Sequence, residues 1–487
     1  MCMHLLPKLK QIKKKTQAIT NFKGLNERAS IADNEFSDCC NITLSEYPAL
    51  SVRDGREIYV EQQSGVNMWA KSVCKNMLVC DGSNIYYSFY DNTYGVYGAG
   101  NSLRTEKLPN ADFIGVTLYN NQLFFLSKPD EDGSFTLTNY FYRGLVSSEE
   151  SIDIPGTKIF DEYNEGENCH VGFMALGNRL IISYKNEIAI SYHDDVSDWT
   201  TYQVEGVATE SCAQRIHLMD DGYFTGCIKY RDYPIFFKEN SMYILYGEYA
   251  PFSLSRIDMV GCPYPETIAV CNGALYFLSD IGVMEYTGGT PTLISENINL
   301  SPSSYIIQPS ACADDRYYYI SNYVFDTFTR TWAKTDPQQS SHSGTVSYET
   351  LISPQCCFDG HTYFLVSERR QEEGDAATYS YSIERTSPTS DADWSFTTKQ
   401  FHEYQEGRKI ISKIMIGFEN ESASELKIEV SLNKQDFQTA YIWDGMTDFV
   451  QQVPIILPPC DYFQLRVSGK GKMIIHYLKR EYRVLGV

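Results

Sequence analysis

Tight polar turns recur along this chain at intervals of roughly 40 to 55 residues, each between short apolar runs. They fall at Asp81-Gly82, Asn120-Asn121, Gly177-Asn178, Arg231-Asp232, Asn272-Gly273, Asp314-Asp315 and Asp359-Gly360. Asn-Gly and Asp-Gly between apolar strands mark two-residue hairpins, because both central residues must take positive φ. The unit is clearest in VCNGALYFLSDIGVMEYTGG at 270–289, where a second turn follows near Asp280. A second turn also follows Arg231-Asp232, at Glu239-Asn240. A hairpin cannot bury both faces alone, but radially stacked hairpins can, and this spacing matches one four-stranded blade per unit. The expectation is an all-β chain with a six- or seven-bladed β-propeller over 51–404. After residue 405 the strands lengthen, which predicts an antiparallel β-sandwich-like domain over 405–487. SGKGK at 468–472 reads as a turn, because a phosphate loop needs a following helix and Ser or Thr.

The first 20 residues hold Lys8, Lys10, Lys13, Lys14 and Lys15 and no acid, which makes 1–20 a basic arm, followed by an extended segment over 21–50. The whole chain of 487 residues carries a formal charge of −21, which opposes nucleic acid and anionic membranes. No stretch approaches the ~20 apolar residues of a membrane span. The N-terminus lacks an apolar run suited to export, and the 14 cysteines show no regular spacing. Reduced, buried thiols and folding in a cytoplasm are therefore expected.

Catalytic signatures are sparse. The eight histidines form no HExxH or CxxC-plus-His set, and there is no GxSxG elbow. No catalytic, cofactor or metal residue is assigned on this basis. The densest polar cluster, His193-Asp194-Asp195 with Ser197-Asp198-Trp199, reads as an exposed turn between blade strands whose tryptophan packs against the next blade. Paired carboxylates could still converge from distant blades, so a propeller-type glycosidase, or a carbohydrate-binding tail protein, is the alternative reading. Most of the 37 Tyr and 25 Phe sit at strand positions such as Tyr86, Phe124, Phe125, Phe237, Tyr276, Tyr318 and Phe364, where packing explains them.

The segment at 21–56 resembles the N-terminal part of tailed-phage virion proteins of the stabilisation or head-to-tail hub type. The matching positions are Gly24, Leu25, Asn26, Glu35, Phe36, Asp38, Asn41, Tyr47, Pro48, Leu50 and Arg53. SYHDDVSDWTTYQ, NGALYFLSDIGVMEYTGGTPTLISENI and LRVSGKGKMIIHYLKREYRVLG resemble further parts of that family. The resemblance implies a non-enzymatic component of a virion assembled in the host cytoplasm, forming a homo-oligomeric ring beside portal, adaptor or tail subunits. It needs no cofactor, no membrane and no direct nucleic-acid contact. Lys8, Lys10, Lys13, Lys14, Lys15, Phe22 and Leu25 are then the partner-contacting residues, and the arm is expected to order only on a neighbouring subunit.

Overall fold

The computed structural model describes residues 14–485 apart from 65–67, 74–75, 81–84, 92–95, 98–112, 121, 128–135, 142–149, 154–169, 301–308, 336–338, 344–345, 373–376, 403–407, 444–450 and 455–457. Apart from one 3-10 turn, Pro265–Thr267, every described regular element is a strand.

Seven antiparallel sheets follow one another along the chain, spanning 69–97, 113–153, 172–217, 226–258, 269–293, 311–334 and 339–387. They are blades 1 to 7 of a propeller. The first strands of blades 1 to 4 pack on one another in turn, that of blade 4 meets the 3-10 turn ahead of blade 5, and that of blade 5 meets that of blade 6. Val346–Phe358 of blade 7 packs on both Ala311–Ala313 of blade 6 and Trp69–Val73 of blade 1, so the ring closes. The fold class expected from the turn spacing is therefore observed, with seven blades among the described residues.

The second strand of each blade shows why the ring is stable. In blade 5, Leu275 and Phe277 pack with Ile235 and Phe237 of blade 4, while Tyr276 and Leu278 face the opposite side, where Tyr276 stacks on Tyr318 of blade 6 at 5.2 Å. In blade 2, Phe124 and Leu126 join Leu180 and Ile182 of blade 3, and Leu123 and Phe125 join Leu78 of blade 1. A strand buried on both faces reads as a continuous apolar run rather than an alternation. LFFL, LII, IFF and ALYFL are such runs.

Glycine sets the closeness of adjacent inner strands. A Cβ on Gly115 would meet Phe173 Cβ at 2.9 Å, one on Gly172 would meet Cys227 Sγ at 2.7 Å and strike Ser183 Oγ, and one on Gly226 would meet Pro265 Cβ at 2.8 Å. The residue each glycine of blades 2 and 3 admits directly follows the next blade's glycine. Gly172→Val should therefore lower stability by about 2–3 kcal/mol through overpacking. Gly273→Ala, at φ +72 with open space around it, should cost about 1 kcal/mol of backbone strain alone. Urea unfolding of both variants checks the contrast.

The C-terminal strands do form a two-sheet sandwich, but residues 405–487 do not build it alone. One sheet holds Met473–Val484 between Lys409–Asn420 and Leu50–Val52, and Lys14–Ile19 also pairs with Met473–Val484, from Lys14 opposite Arg483 to Ile19 opposite Leu478. The other carries Phe36–Cys40, Asp393–Thr398, Phe463–Lys470, Glu425–Leu432 and Gln438–Trp443. Phe36–Cys40 also touches blade 6 in parallel, Cys40 opposite Lys334, so that sheet runs on from the blade into the sandwich. Ile411, Ile414, Ile416, Leu426, Ile428, Leu465 and Val467 fill the interior, continuous with the packing between blades 5 and 6.

Two expectations about the N-terminus change. Residues 14–19 are a strand of this chain's own sandwich, not a segment waiting for a neighbour, with Ile19 in the core. Within 21–50, residues 36–40 and 42–43 are also sandwich strands rather than an extended lead-in. The cause is long-range pairing and burial, which outweigh the basic charge of the arm.

Candidate functional site in the cleft between blades and sandwich

An open cleft of about 1070 Å³ lies where blades 6 and 7, the segment 38–56 and the sandwich meet. Blade 6 contributes Asp314, Tyr317 and Tyr319, and blade 7 contributes Thr362, Phe364 and Glu384. Arg53, Asp54 and Arg56 enter from the N-terminal segment, and Asp391, Asp393 and Trp394 from the loop and strand that follow blade 7. Strand pairing explains the convergence. Gly55–Ser64 is the outer strand of blade 7, antiparallel to Thr378–Ser387, so Arg53 and Arg56 reach the cleft just as the chain enters that strand.

Two guanidinium groups lie on aromatic rings there. Arg53 is 4.5 Å from the Tyr317 ring centre and 5.7 Å from that of Tyr319, and Arg56 is 5.3 Å from that of Phe364. Arg53 also donates to the Ile42 carbonyl at 3.2 Å and the Tyr319 hydroxyl at 3.3 Å. Tyr319 meets Phe364 edge-on at 6.1 Å, which joins the two blades beneath the cleft.

The carboxyl groups in the cleft sit in opposed environments. Asp314 Oδ1 accepts the Arg316 and Tyr317 backbone N–H groups, at 2.8 and 2.5 Å. Burial nevertheless pushes the Asp314 carboxyl above its ordinary value, outweighing those N–H groups and the Arg53 charge. Glu384 instead pairs with Arg56 at 3.5 Å. One carboxyl has its proton affinity raised by burial and the other faces a cation, and acid–base chemistry draws on such contrasts. Among the described residues no group of three or more His, Cys, Asp or Glu is placed to hold a metal ion.

The residues singled out in the sequence lie elsewhere. Lys8, Lys10 and Lys13 fall outside the described residues. Lys14 and Lys15 are exposed on the sandwich strand, where Lys14 pairs with Glu481 at 2.8 Å. Phe22 and Leu25 are buried, Phe22 stacking on Phe36 at 6.0 Å, so neither presents a side chain to a partner. Asp194 and Asp195 form an exposed turn of blade 3. Asp194 accepts a hydrogen bond from the Asn178 side chain, donates its own N–H to the Asn178 carbonyl at 2.9 Å and lies 2.7 Å from His193 Nδ1, and Asp195 accepts from the Ser197 hydroxyl at 2.6 Å. Trp199 is buried between its own blade 3 and blade 2, the preceding blade rather than the expected next one. Asp314 was visible in the sequence only as a turn residue. The blade 7 and N-terminal residues that share its cleft come from distant parts of the chain, which no local pattern reveals.

No protein-family model and no curated protein matches the chain. Among solved structures it is similar to an exo-β-1,3-galactanase from Phanerochaete chrysosporium, at 8% identity over 87% of this chain and 100% of that one, TM-score 0.26. A family 43 arabinoxylan arabinofuranohydrolase from Bacillus subtilis follows at 9% identity, 85% and 95% coverage, TM-score 0.24. The S. cerevisiae core factor is similar at 8% identity, 70% and 62% coverage, TM-score 0.27. Glycoside hydrolases recur among these neighbours. The comparisons thus stand against the expected non-enzymatic phage hub and favour the alternative expectation, a propeller-type glycosidase, which is taken up below as a proposal. At such low scores these likenesses place no residue, and the site rests on the cleft alone.

Proposed function

We propose that the chain is a propeller-type glycosidase whose saccharide lies in the cleft between blades 6 and 7 and the sandwich. The observation that supports this is that one open polar cleft is lined both by Asp314, a carboxyl whose proton affinity burial raises, and by Glu384, a carboxylate beside Arg56. In this reading Asp314 protonates the departing glycosidic oxygen and Glu384 acts as base or nucleophile. The Tyr317 and Tyr319 hydroxyls and the Arg53 guanidinium meet sugar hydroxyls. An open cleft suits a chain of sugars better than one small enclosed ligand.

The test is reducing-end release from a panel of neutral and acidic polysaccharides. Asp314→Asn and Glu384→Gln should each lower turnover by about 10²–10⁴-fold, the usual contribution of a placed acid or base. The fold should survive Asp314→Asn, and the sign can be worked out. A carboxyl raised in the folded state carries no penalty below the ordinary carboxylate range and the full penalty above its raised value. At neutral pH the amide removes that penalty while still accepting both N–H groups, so the melting temperature should hold or rise. If no saccharide in the panel is bound or cleaved, the reading is wrong. Binding without cleavage would leave a carbohydrate-binding site and remove the catalytic roles.

A further inference from the structure

Cys312 and Cys357 face each other across the junction of blades 6 and 7, with their Sγ atoms 3.6 Å apart and unbonded. Cys312 lies on the inner strand Ala311–Ala313 of blade 6, and Cys357 on Val346–Phe358 of blade 7. Cys356 and Cys357 are adjacent, yet their side chains part. Cys356 packs with Met77 and Val79 of blade 1, and Cys357 packs on the opposite side, against the blade 5–6 and sandwich core. A register shift between Pro354 and Cys356 precedes the pair. Strand alternation thus leaves one cysteine of the two aimed at Cys312.

We propose that Cys312 and Cys357 form a reversible disulfide between blades 6 and 7 when the protein meets a small oxidised disulfide such as glutathione disulfide. The Cys357 side chain is the more accessible of the two, since Cys312 is buried. Cys357, as thiolate, attacks one sulfur of the reagent, forms a mixed disulfide and releases one glutathione thiol. Cys312 then loses its proton to solvent, attacks Cys357 Sγ and expels the second thiol. The protein loses two hydrogens, and one glutathione disulfide becomes two glutathiones. Burial holds the Cys312 thiol well above its ordinary value, so this second step is the slow one. The two Sγ atoms must close from 3.6 Å to a bond of about 2.05 Å.

The bond would also reach the cleft. Cys312 pairs across its hairpin with Tyr319, and Cys357 pairs with Thr362, whose Oγ1 is 3.6 Å from Cys357 Sγ. Both partners line the cleft floor.

The experiment treats the full-length protein with glutathione disulfide and follows mass, peptides and melting temperature. The expected product loses about 2 Da, contains a linked peptide pair bearing residues 312 and 357, and melts a few degrees higher because the unfolded chain is now looped. Dithiothreitol should restore the starting mass and melting temperature. Cys356→Ser should form the bond as the parent does. Cys312→Ser and Cys357→Ser should not, with circular dichroism confirming that each remains folded. If either of those variants misfolds, the linked peptide in the parent and in Cys356→Ser decides. A stable glutathione adduct, a link through Cys356 or Cys271, or no thiol loss from the folded protein would each overturn the proposal.

Discussion

A chain that begins at residue 65 is expected not to fold into a propeller at all. Blade 7 takes its outer strand from Gly55–Ser64, the segment that precedes blade 1, so the ring is fastened by joining the two ends of the propeller sequence. That strand pairs with Thr378–Ser387 along its length, with two register shifts around Ile383, and is reinforced by Arg385 on Glu57 at 2.7 Å and Arg56 on Glu384 at 3.5 Å. Its loss would leave a bare edge on blade 7 and uncover Ile383, which is fully buried between blade 7 and blade 1. The same truncation removes Lys14–Ile19 and Phe36–Cys40 from the sandwich, together with the core residues Ile19, Phe22, Leu25 and Phe36. Each large apolar side chain is worth about 1.5–3 kcal/mol when buried. The lost residues alone therefore rival the ~5–15 kcal/mol that holds a whole domain together. Removing only residues 2–20 is a graded version. It takes away one six-residue strand and Ile19, and should lower the melting temperature measurably. An unchanged melting curve for the 2–20 deletion, or a cooperative transition for the chain starting at 65, would refute this account of closure.

The propeller was legible in the sequence because its signals are local. Asn272-Gly273 and Asp359-Gly360 both take positive φ at both positions, as their hairpins require, and Arg231-Asp232 does so without a glycine. The repeat was out of phase in two places. The turns at Asp81-Gly82, among residues outside the described set, and Asp359-Gly360 fall between the second and third strands of blades 1 and 7, whereas the other five fall between the first and second strands of their blades. The N-terminal segment was not legible as a structural part of the sandwich. Lys14 meets Arg483 and Leu25 donates its N–H to the Trp332 carbonyl, at separations that leave no periodic trace. The inner-strand glycines were equally silent, since what they require is absence of a side chain opposite another blade. The cleft was invisible for the same reason: Arg53, Asp314, Glu384 and Trp394 share no spacing, and only ring closure and the sandwich bring them together.

Arg179→Ala should be the most damaging single substitution outside the cleft. Arg179 opens the second strand of blade 3 and has no exposed surface. Its guanidinium donates to the carbonyls of Ser191 at 2.6 Å, Cys212 at 3.0 Å and Glu210 at 2.6 Å, and lies 5.6 Å from the Phe252 ring centre. One side chain thereby ties the blade to both ends of the long connection over 191–213, which carries few strand hydrogen bonds of its own. A buried cation is costly, and burial lowers its proton affinity, but three charge-assisted bonds offset that cost. Alanine leaves three carbonyls without that donor around a cavity, at about 1–3 kcal/mol for each one that water does not reach. The expected loss is about 4 kcal/mol, and Arg179→Lys should recover only part of it because an ammonium lacks the forked reach. Chemical denaturation gives the magnitude, and hydrogen exchange gives the place. Amides of 191–213 should lose protection before those of Arg179–Tyr184. A loss under about 1 kcal/mol, or exchange that rises evenly over all seven blades, would show that the connection is held by something other than this arginine.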